Sequence, residues 1–396
     1  MNIFSISWNN LAAKPLSTLL SLLLLTLGVS IISLLLLLNV QIEDNSRKNV
    51  RDIDMVLGAK GSPMQLILSS IYHIDDPTGN IPKVEADRIA KHPLVESAVP
   101  LAYGDNYKGY RILGTNHDYV ETYGVALGAG KLWEADYEVT LGAATAKRLE
   151  LSVGDEFFGS HGLVSDADVH DSHAYQVVGI LEPSGTVLDQ MILTNIASVW
   201  GIHDGHGAEP MADSLREYTS MLVAFRSPMG MVQLPRMINQ ETSMMAALPA
   251  IEINKLTTKI LPIAINTGQG IALAIIVISA ISVFISLFNS LKDRKYELAL
   301  MRTMGASRLQ LFWIVVMEGI WLAAVGALLG LLISRLGLWV LNKTIIETYH
   351  YDFSHMGLLT DEWTLVVVTL GIGFLAAAIP GLQAFRLNIS QTLADG

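Results

Sequence analysis

The chain has 396 residues, of which 51% are hydrophobic and 16% charged, with a formal net charge of −11 and no cysteine. Ordinary soluble domains carry about 25% charged residues, so this composition excludes a wholly water-exposed globule. The missing cysteines exclude a disulfide framework, and the acidic balance excludes the basic surface that nucleic acid requires.

The apolar excess gathers in four blocks. Residues 16–40, 268–291 and 363–385 hold no charged residue, and 309–334 hold Glu318 alone. Each is long enough to cross a hydrocarbon core of about 30 Å, and four transmembrane helices are predicted. Ahead of the first block, residues 1–15 place Phe4, Trp8 and Leu11 at i, i+4 and i+7, the spacing of a helix lying in the cytoplasmic interface. The first block is too long for a signal-peptide core, and Asn39-Val40-Gln41 lacks a cleavage signature, so an uncleaved anchor is expected.

Residues 41–262 then form an extracytoplasmic domain. They hold 29 acidic and 17 basic residues against 8 and 9 in the remainder, so the acidity belongs to the part that faces water. Ile42, Val50, Ile53 and Leu57 permit a helical stalk continuing from the first span and ending at Gly58, with a turn over 58–63. Met64–Ile71 reads as a buried strand or short helix, 73–82 as loop and 83–92 as helix. Strand-like runs follow at Ala98–Tyr103, Tyr110–Gly114 and Val139–Leu141, then a helix over 143–150. VGDEF and YQVVGIL read as strands, with Gly154-Asp155 as a turn. Residues 220–226 read as a strand and 228–248 as a helix with a Met-rich face. Residues 249–267 return as a second stalk, in which Leu256, Ile260 and Ile263 offer apolar positions to the first. The expected fold is an integral membrane α-helical unit of four transmembrane helices, with a large extracytoplasmic α+β domain inserted between helices 1 and 2.

The segment 292–308 between the second and third spans carries Lys292, Arg294, Lys295, Arg302 and Arg308. Such a cluster marks a cytoplasmic loop, which puts both termini, including the tail 386–396, in the cytoplasm and the loop 335–362 outside. Tyr296, Leu298, Leu300, Met301 and Met304 add apolar surface to the same segment. Gly305 breaks the pattern, and Ser307 is placed to N-cap the third span.

No G-x-x-x-x-G-K-[ST], nucleophile elbow or H-E-x-x-H occurs, so no enzyme motif is found and catalytic residues are assigned to none. Glu318 inside a span is costly. It reads either as a polar contact to the first or second helix or the 292–308 element, or as a side chain reaching headgroup water. Gly326 and Gly330, flanked by Ala323 and Ser334, form a small-xxx-small face for a neighbouring helix. Ser282, Ser286 and Ser290 make a polar stripe that fits helix–helix hydrogen bonds or a wet cavity wall. Five of the ten histidines lie in 161–206, His161 among them, with the repeated pairs His170-x-x-His173 and His203-x-x-His206. On a turn or helix such pairs can bring two imidazoles to one zinc ion, with Asp168, Asp171 or Asp204 beside them. The same interleaving of Gly and Asp also reads as a solvated polar loop.

The run RKYELALMRTMGASRLQLFWIVVMEG resembles the signature of the FtsX/MacB-type ABC-transporter permeases: a basic-acidic start, a "lR.lGAs..qi" core and a Glu in the following helix. The string TLGAATAKRLELSVGDEF with YQVVGILEPSGTVLDQMILTNIASVW resembles the MacB-like periplasmic core domain of the same family. The C-terminal stretch from Pro380 to Leu393 resembles the family ending, but keeps only Arg386 of its several arginines. The resemblance implies a membrane subunit in the bacterial inner membrane, paired with a second permease copy and with a separate ABC ATPase that holds the ATP and Mg. It makes Arg294, Glu297, Arg302, Gly305, Ala306 and Ser307 the ATPase-coupling residues. It implies mechanotransmission to the outer domain for export or for handling lipoprotein and hydrophobic cargo, with membrane lipids and a periplasmic or lipoprotein partner in contact. It implies no cofactor bound by this chain beyond the zinc considered above. The alternative is a non-transporting regulator of a periplasmic partner, or a metal-linked transport or sensing system using 161–206.

Overall fold

In the computed structural model the described residues are 3–160, 169–203, 212–255, 258, 261–349 and 357–387, with side chains undescribed at 169–173, 203, 261 and 344–349. Two compact units emerge, one from residues 1–41, 261–344 and 353–396, the other from 42–260 and 345–352.

The first unit is helical. Four helices, Pro15–Asn49, Leu261–Asp293, Arg308–Tyr349 and Thr360–Phe385, each contain an apolar stretch long enough to cross a membrane. Two shorter helices accompany them, Ile3–Ala12 and Lys295–Thr303. The spans pack around Leu25, Val29, Val283, Leu287, Leu322, Leu365 and Ala377. The third helix runs well past Ser334, so residues expected in the loop 335–362 are helical up to Tyr349, and the fourth helix begins at Thr360.

The second unit is an α/β domain. Its strands are β1 (Met55–Ala59), β2 (Ile81–Pro82), β3 (Val95–Tyr107), β4 (Tyr110–Gly114), β5 (Leu127–Gly130) and β6 (Glu138–Leu141), then β7 (Glu156–Ser160), β8 (Val169–Leu181), β9 (Ile192–Thr194), β10 (Glu217–Tyr218), β11 (Ser220–Phe225) and β12 (Met244–Ala247). The main sheet runs β12-β1-β11-β3-β4-β9-β6-β8-β5, with β7 bridging β3 and β8, while β10 and β2 pair separately. The pairs β4–β9 and β6–β8 are parallel; the others are antiparallel.

Period-two alternation divides the side chains of this sheet between three cores. Val56, Leu222, Met245 and Ala247 enter one cluster, together with Leu113 and Leu193 from the far half. Their neighbours Met55, Leu57, Met221, Val223, Met244 and Ala246 enter a second. Ile112, Val139, Leu141, Tyr175, Val177 and Ile192 form a third. With both faces covered, these strands read as continuous apolar runs instead of alternating ones.

Three expectations are corrected here. The helix from the first span ends at Asn49, not at Gly58, and residues 55–59 are the strand β1. Gly58 is neither a helix end nor a turn. A Cβ there would lie 2.2 Å from Leu66 Cδ1, so the missing side chain lets the helix Pro63–Ser70 press onto the strand. That helix settles the strand-or-helix alternative, with Ser62 Oγ accepting from Gln65 N and Pro63 in its first turn. Finally, the helix expected over 228–248 stops at Glu241, and its Met-rich end is β12, which pairs with β1. Met244 and Ala246 enter one core and Met245 and Ala247 the other, the period-two division of a strand. Of the apolar positions assigned to the second stalk, Leu256 and Ile260 lie outside the described residues.

Candidate functional site

The short helix Lys295–Thr303 is amphipathic in an unusual sense, because both of its faces carry apolar side chains. Leu298 and Ala299 are buried, and Leu298 packs with Leu291, Leu311, Val315 and Ala384, with Met301 alongside. On the other side Tyr296, Leu300 and Met304 recur every fourth residue and are exposed, Met304 by 73%. A tight turn ends the helix. Gly305 adopts φ +98°, a conformation that disfavours any side chain. Arg302 Nη1 donates to the Ala306 carbonyl at 2.8 Å. Ser307 Oγ then accepts from Gln310 N at 3.2 Å while Gln310 Oε1 accepts from Ser307 N at 2.7 Å. This reciprocal capping box starts the third span. The residues Arg302, Gly305, Ala306 and Ser307 are thus one continuous reversal of direction.

Arg294 and Glu297 stand at the other end of the short helix, paired at 3.0 Å. Arg294 Nη1 also reaches Glu318 Oε1 at 3.4 Å, and Asn10 Nδ2 donates to the same oxygen at 2.6 Å. Glu318 is 3% exposed, so of its two readings the polar contact describes this geometry. Burying a carboxylate costs several kcal/mol unless charge-assisted hydrogen bonds satisfy it, roughly. Asn10 comes from the first short helix, which is fastened to the third span twice more. Ser7 Oγ donates to the Ile314 carbonyl at 2.9 Å, and Trp8 meets Trp321 edge-on with centroids 5.5 Å apart. Lys14 pairs with Asp293 at 2.5 Å.

Small residues set the helix spacing. A Cβ on Gly326 would lie 2.4 Å from Leu25 Cδ2, and one on Gly330 2.7 Å from Val29 Cβ. Both glycines therefore receive the first span of the same chain. A second close crossing was not read from the sequence. Cβ atoms on Gly319 and Gly373 would each meet the other residue's carbonyl oxygen, at 2.6 and 2.7 Å. The third and fourth spans touch there backbone to backbone. Of the serine stripe, Ser282 bonds Ser21 on the first span at 3.0 Å.

The sequence reading also missed a polar cluster toward the other end of the third span. Arg335 binds the Glu362 carboxylate through both terminal nitrogens, with Nη2 to Oε2 at 2.5 Å. Ser33 Oγ lies 2.5 Å from Glu362 Oε1 and 2.7 Å from Ser334 Oγ. Leu359 N and the Gly357 carbonyl complete the set, at 2.9 and 3.0 Å. Three spans are joined through one carboxylate. Placing 335–362 in a loop hid the pairing, although a lone arginine closing one span and a glutamate opening the next is the signal that pointed to it.

In the α/β domain His73 holds φ +56° and is bracketed by two tyrosines, Nδ1 to Tyr103 Oη at 2.6 Å and Nε2 to Tyr119 Oη at 2.8 Å. Tyr103 also donates to the Ser69 carbonyl. A neutral imidazole offers each tyrosine one ring nitrogen, one a donor and the other an acceptor. Burial, and then the nearby Arg111 guanidinium, push the His73 pKa down to about 3.

Of the candidate metal ligands, His170 and His173 fall on β8, a strand and not a turn or helix, and His203 is the last residue of the helix Ile196–His203; none of their side chains is described. His161, Asp168, Asp204 and His206 lie outside the described residues. Among the described residues no group of three His, Cys, Asp or Glu side chains could hold a metal ion.

Two family profiles match the chain. One, described as the MacB-like periplasmic core domain, covers residues 18–239, and the other, described as the FtsX-like permease C-terminal, covers 270–389. No curated protein matches significantly. Similar solved structures include the periplasmic region of MacB from Actinobacillus actinomycetemcomitans, 13% identical with a TM-score of 0.36 over 52% of this chain and 95% of that one. Another is the extracellular domain of the noncanonical ABC-type transporter YknZ from Gram-positive bacteria, 11% identical with a TM-score of 0.33 over 48% of this chain and 98% of that one.

Proposed function

Because the chain belongs to the MacB/FtsX-like permease family of ABC transporters, we propose that it couples ATP hydrolysis on a separate ATPase subunit to motion of its α/β domain. The observation that carries this reading is the short helix Lys295–Thr303. Its inner face is fixed to the spans through Leu298 and Arg294, while Tyr296, Leu300 and Met304 are left for a partner. A push on that face reaches the third span directly, through the Glu318 contact and the Gly305 turn. The helices Pro15–Asn49 and Leu261–Asp293 have 35 and 33 residues, beyond the roughly 20 that a bilayer requires, which suits levers that extend past the membrane. The spans hold few ionisable groups, and Glu318 and Glu362 are occupied by internal partners, which favours cargo handled outside the bilayer over a hydrophilic path through it. In this reading the chain works as a dimer with a second permease copy in a bacterial inner membrane, with the 292–308 segment and both termini on the ATPase side.

The test is affinity purification of wild type and a Leu300→Glu, Met304→Glu variant from gently solubilised membranes, followed by an ATPase assay. Wild type should retain ATP-hydrolysing activity and the variant should lose it while melting at the same temperature. Equal retention by both forms would move the docking surface elsewhere, and no ATPase with either form would overturn the proposal. Cargo released or carried in an ATP-dependent way identifies a transporter, whereas a stable periplasmic partner without cargo identifies a regulator.

A further inference from the structure

Between the third and fourth spans lies an apolar slot of about 300 Å³, lined by Ala324, Ala327, Leu328 and Leu331 on one side and by Trp363, Val366 and Leu370 on the other. Its two ends are built differently. At one end the Gly319–Gly373 crossing brings the backbones together, with a Cβ on Gly373 only 2.5 Å from Ala323 Cβ. At the other the helices are bridged by the long side chains of Arg335 and Glu362. The helices touch at the glycines and part toward the ion pair, and the small residues Ala324 and Ala327 leave the gap unfilled.

We propose that this slot holds one acyl chain of a bilayer phospholipid. Length is the first argument. The lining runs from Ala324 to Leu331 on one helix and from Glu362 to Leu370 on the other, which is about 10–12 Å at 1.5 Å per residue. That falls within one leaflet's share of a core about 30 Å thick, whereas a partner's spanning helix would require the full thickness. Width is the second. The slot is a cleft walled by side chains of two helices of one chain, which suits a thin hydrocarbon chain better than a helix about 10–12 Å across. Position is the third. Trp363 is 62% exposed in the first turn of the fourth helix, and tryptophan favours the headgroup level. The slot therefore opens near one membrane surface and closes toward the bilayer centre. Arg335 and Glu362 at the open end are engaged with each other and with Ser33, Leu359 N and the Gly357 carbonyl, so the acyl chain alone, and no headgroup, is assigned to the slot.

The experiment uses the full-length protein in phosphatidylethanolamine vesicles containing increasing traces of a phosphatidylcholine with a photoreactive diazirine in one acyl chain. Labelled peptides are compared between the slot and the exposed residues Ile278, Ile281 and Ile285 of the second span, which line no such slot. Slot labelling should saturate as the probe rises while labelling of the second span grows in proportion. In an Ala327→Trp variant, slot labelling should fall about tenfold, equivalent to about 1.4 kcal/mol, with labelling of the second span unchanged. Slot labelling that rises linearly like bulk lipid, or that survives Ala327→Trp in a protein whose second span labels normally, would overturn the proposal. So would a slot that resists lipid label but crosslinks to a second protein copy. The wild-type saturation curve decides the matter even if the variant fails to fold.

Discussion

Arg294 and Glu318 meet across 24 residues, Nη1 to Oε1 at 3.4 Å, and the same oxygen accepts from Asn10 at 2.6 Å. One buried carboxylate thereby ties the cap of the short helix, the third span and the N-terminal helix together. Glu318→Ala leaves a guanidinium and an amide without their shared acceptor, which should cost about 1–3 kcal/mol. Arg294 keeps Glu297, so the loss belongs at the lower end of that range. Glu318→Gln retains an acceptor oxygen and should be milder. Thermal unfolding of the full chain in detergent orders the three proteins, and identical melting of all three would refute the role given to this carboxylate.

The crossing of Gly319 and Gly373 predicts a sharp contrast within two residues. Gly373→Ala puts a methyl group 2.5 Å from Ala323 Cβ and 2.7 Å from the Gly319 carbonyl oxygen, and neither can move aside as a flexible side chain would. Overpacking of this kind costs about 1–3 kcal/mol. A Cβ on Gly371 meets nothing within 4 Å, so Gly371→Ala should be neutral or slightly stabilising, since alanine favours helix. A melting comparison of the two substitutions tests the crossing directly.

How much of this was legible depended on whether the determining interaction was local. The four spans, the 292–308 reversal and the Ser307 cap were readable because charge, hydropathy and capping act over a few residues. The strand β1 was not, because Ile42, Val50, Ile53 and Leu57 fit a helical face just as well. What makes 55–59 a strand is its pairing with β11 and β12, more than 160 residues later. Gly58 looked like punctuation for the same reason, since its partner Leu66 is supplied by the fold. Gly326 and Gly330 were recognisable as a packing face, but only the three-dimensional arrangement assigns that face to Leu25 and Val29. Arg335 and Glu362 lie 27 positions apart and His73 lies 30 and 46 positions from its tyrosines, separations that no local spacing rule covers.

Gly305 offers a test that separates backbone from packing. Its φ of +98° is strained for any L residue, yet a Cβ there would meet nothing within 4 Å. Gly305→Ala should therefore cost about 1–3 kcal/mol through conformation alone. If the turn also passes force into the third span, ATPase stimulation by the permease should drop along with stability. A substitution that lowers melting but leaves stimulation intact would confine this glycine to a structural part.

His73 predicts an acid-sensitive domain. Folded, its pKa lies near 3; unfolded, it returns to about 6.5. Between those values the unfolded chain binds a proton that the native imidazole refuses, so stability rises with pH across the interval and falls as pH drops from 6.5 toward 3. Each pH unit there removes at most about 1.4 kcal/mol. His73→Asn tolerates the positive φ and cannot titrate. It should start less stable at neutral pH, because Tyr103 and Tyr119 lose their imidazole partner, but its melting temperature should depend less steeply on pH between 6.5 and 4. Parallel pH profiles for the two proteins would place the acid sensitivity on another group.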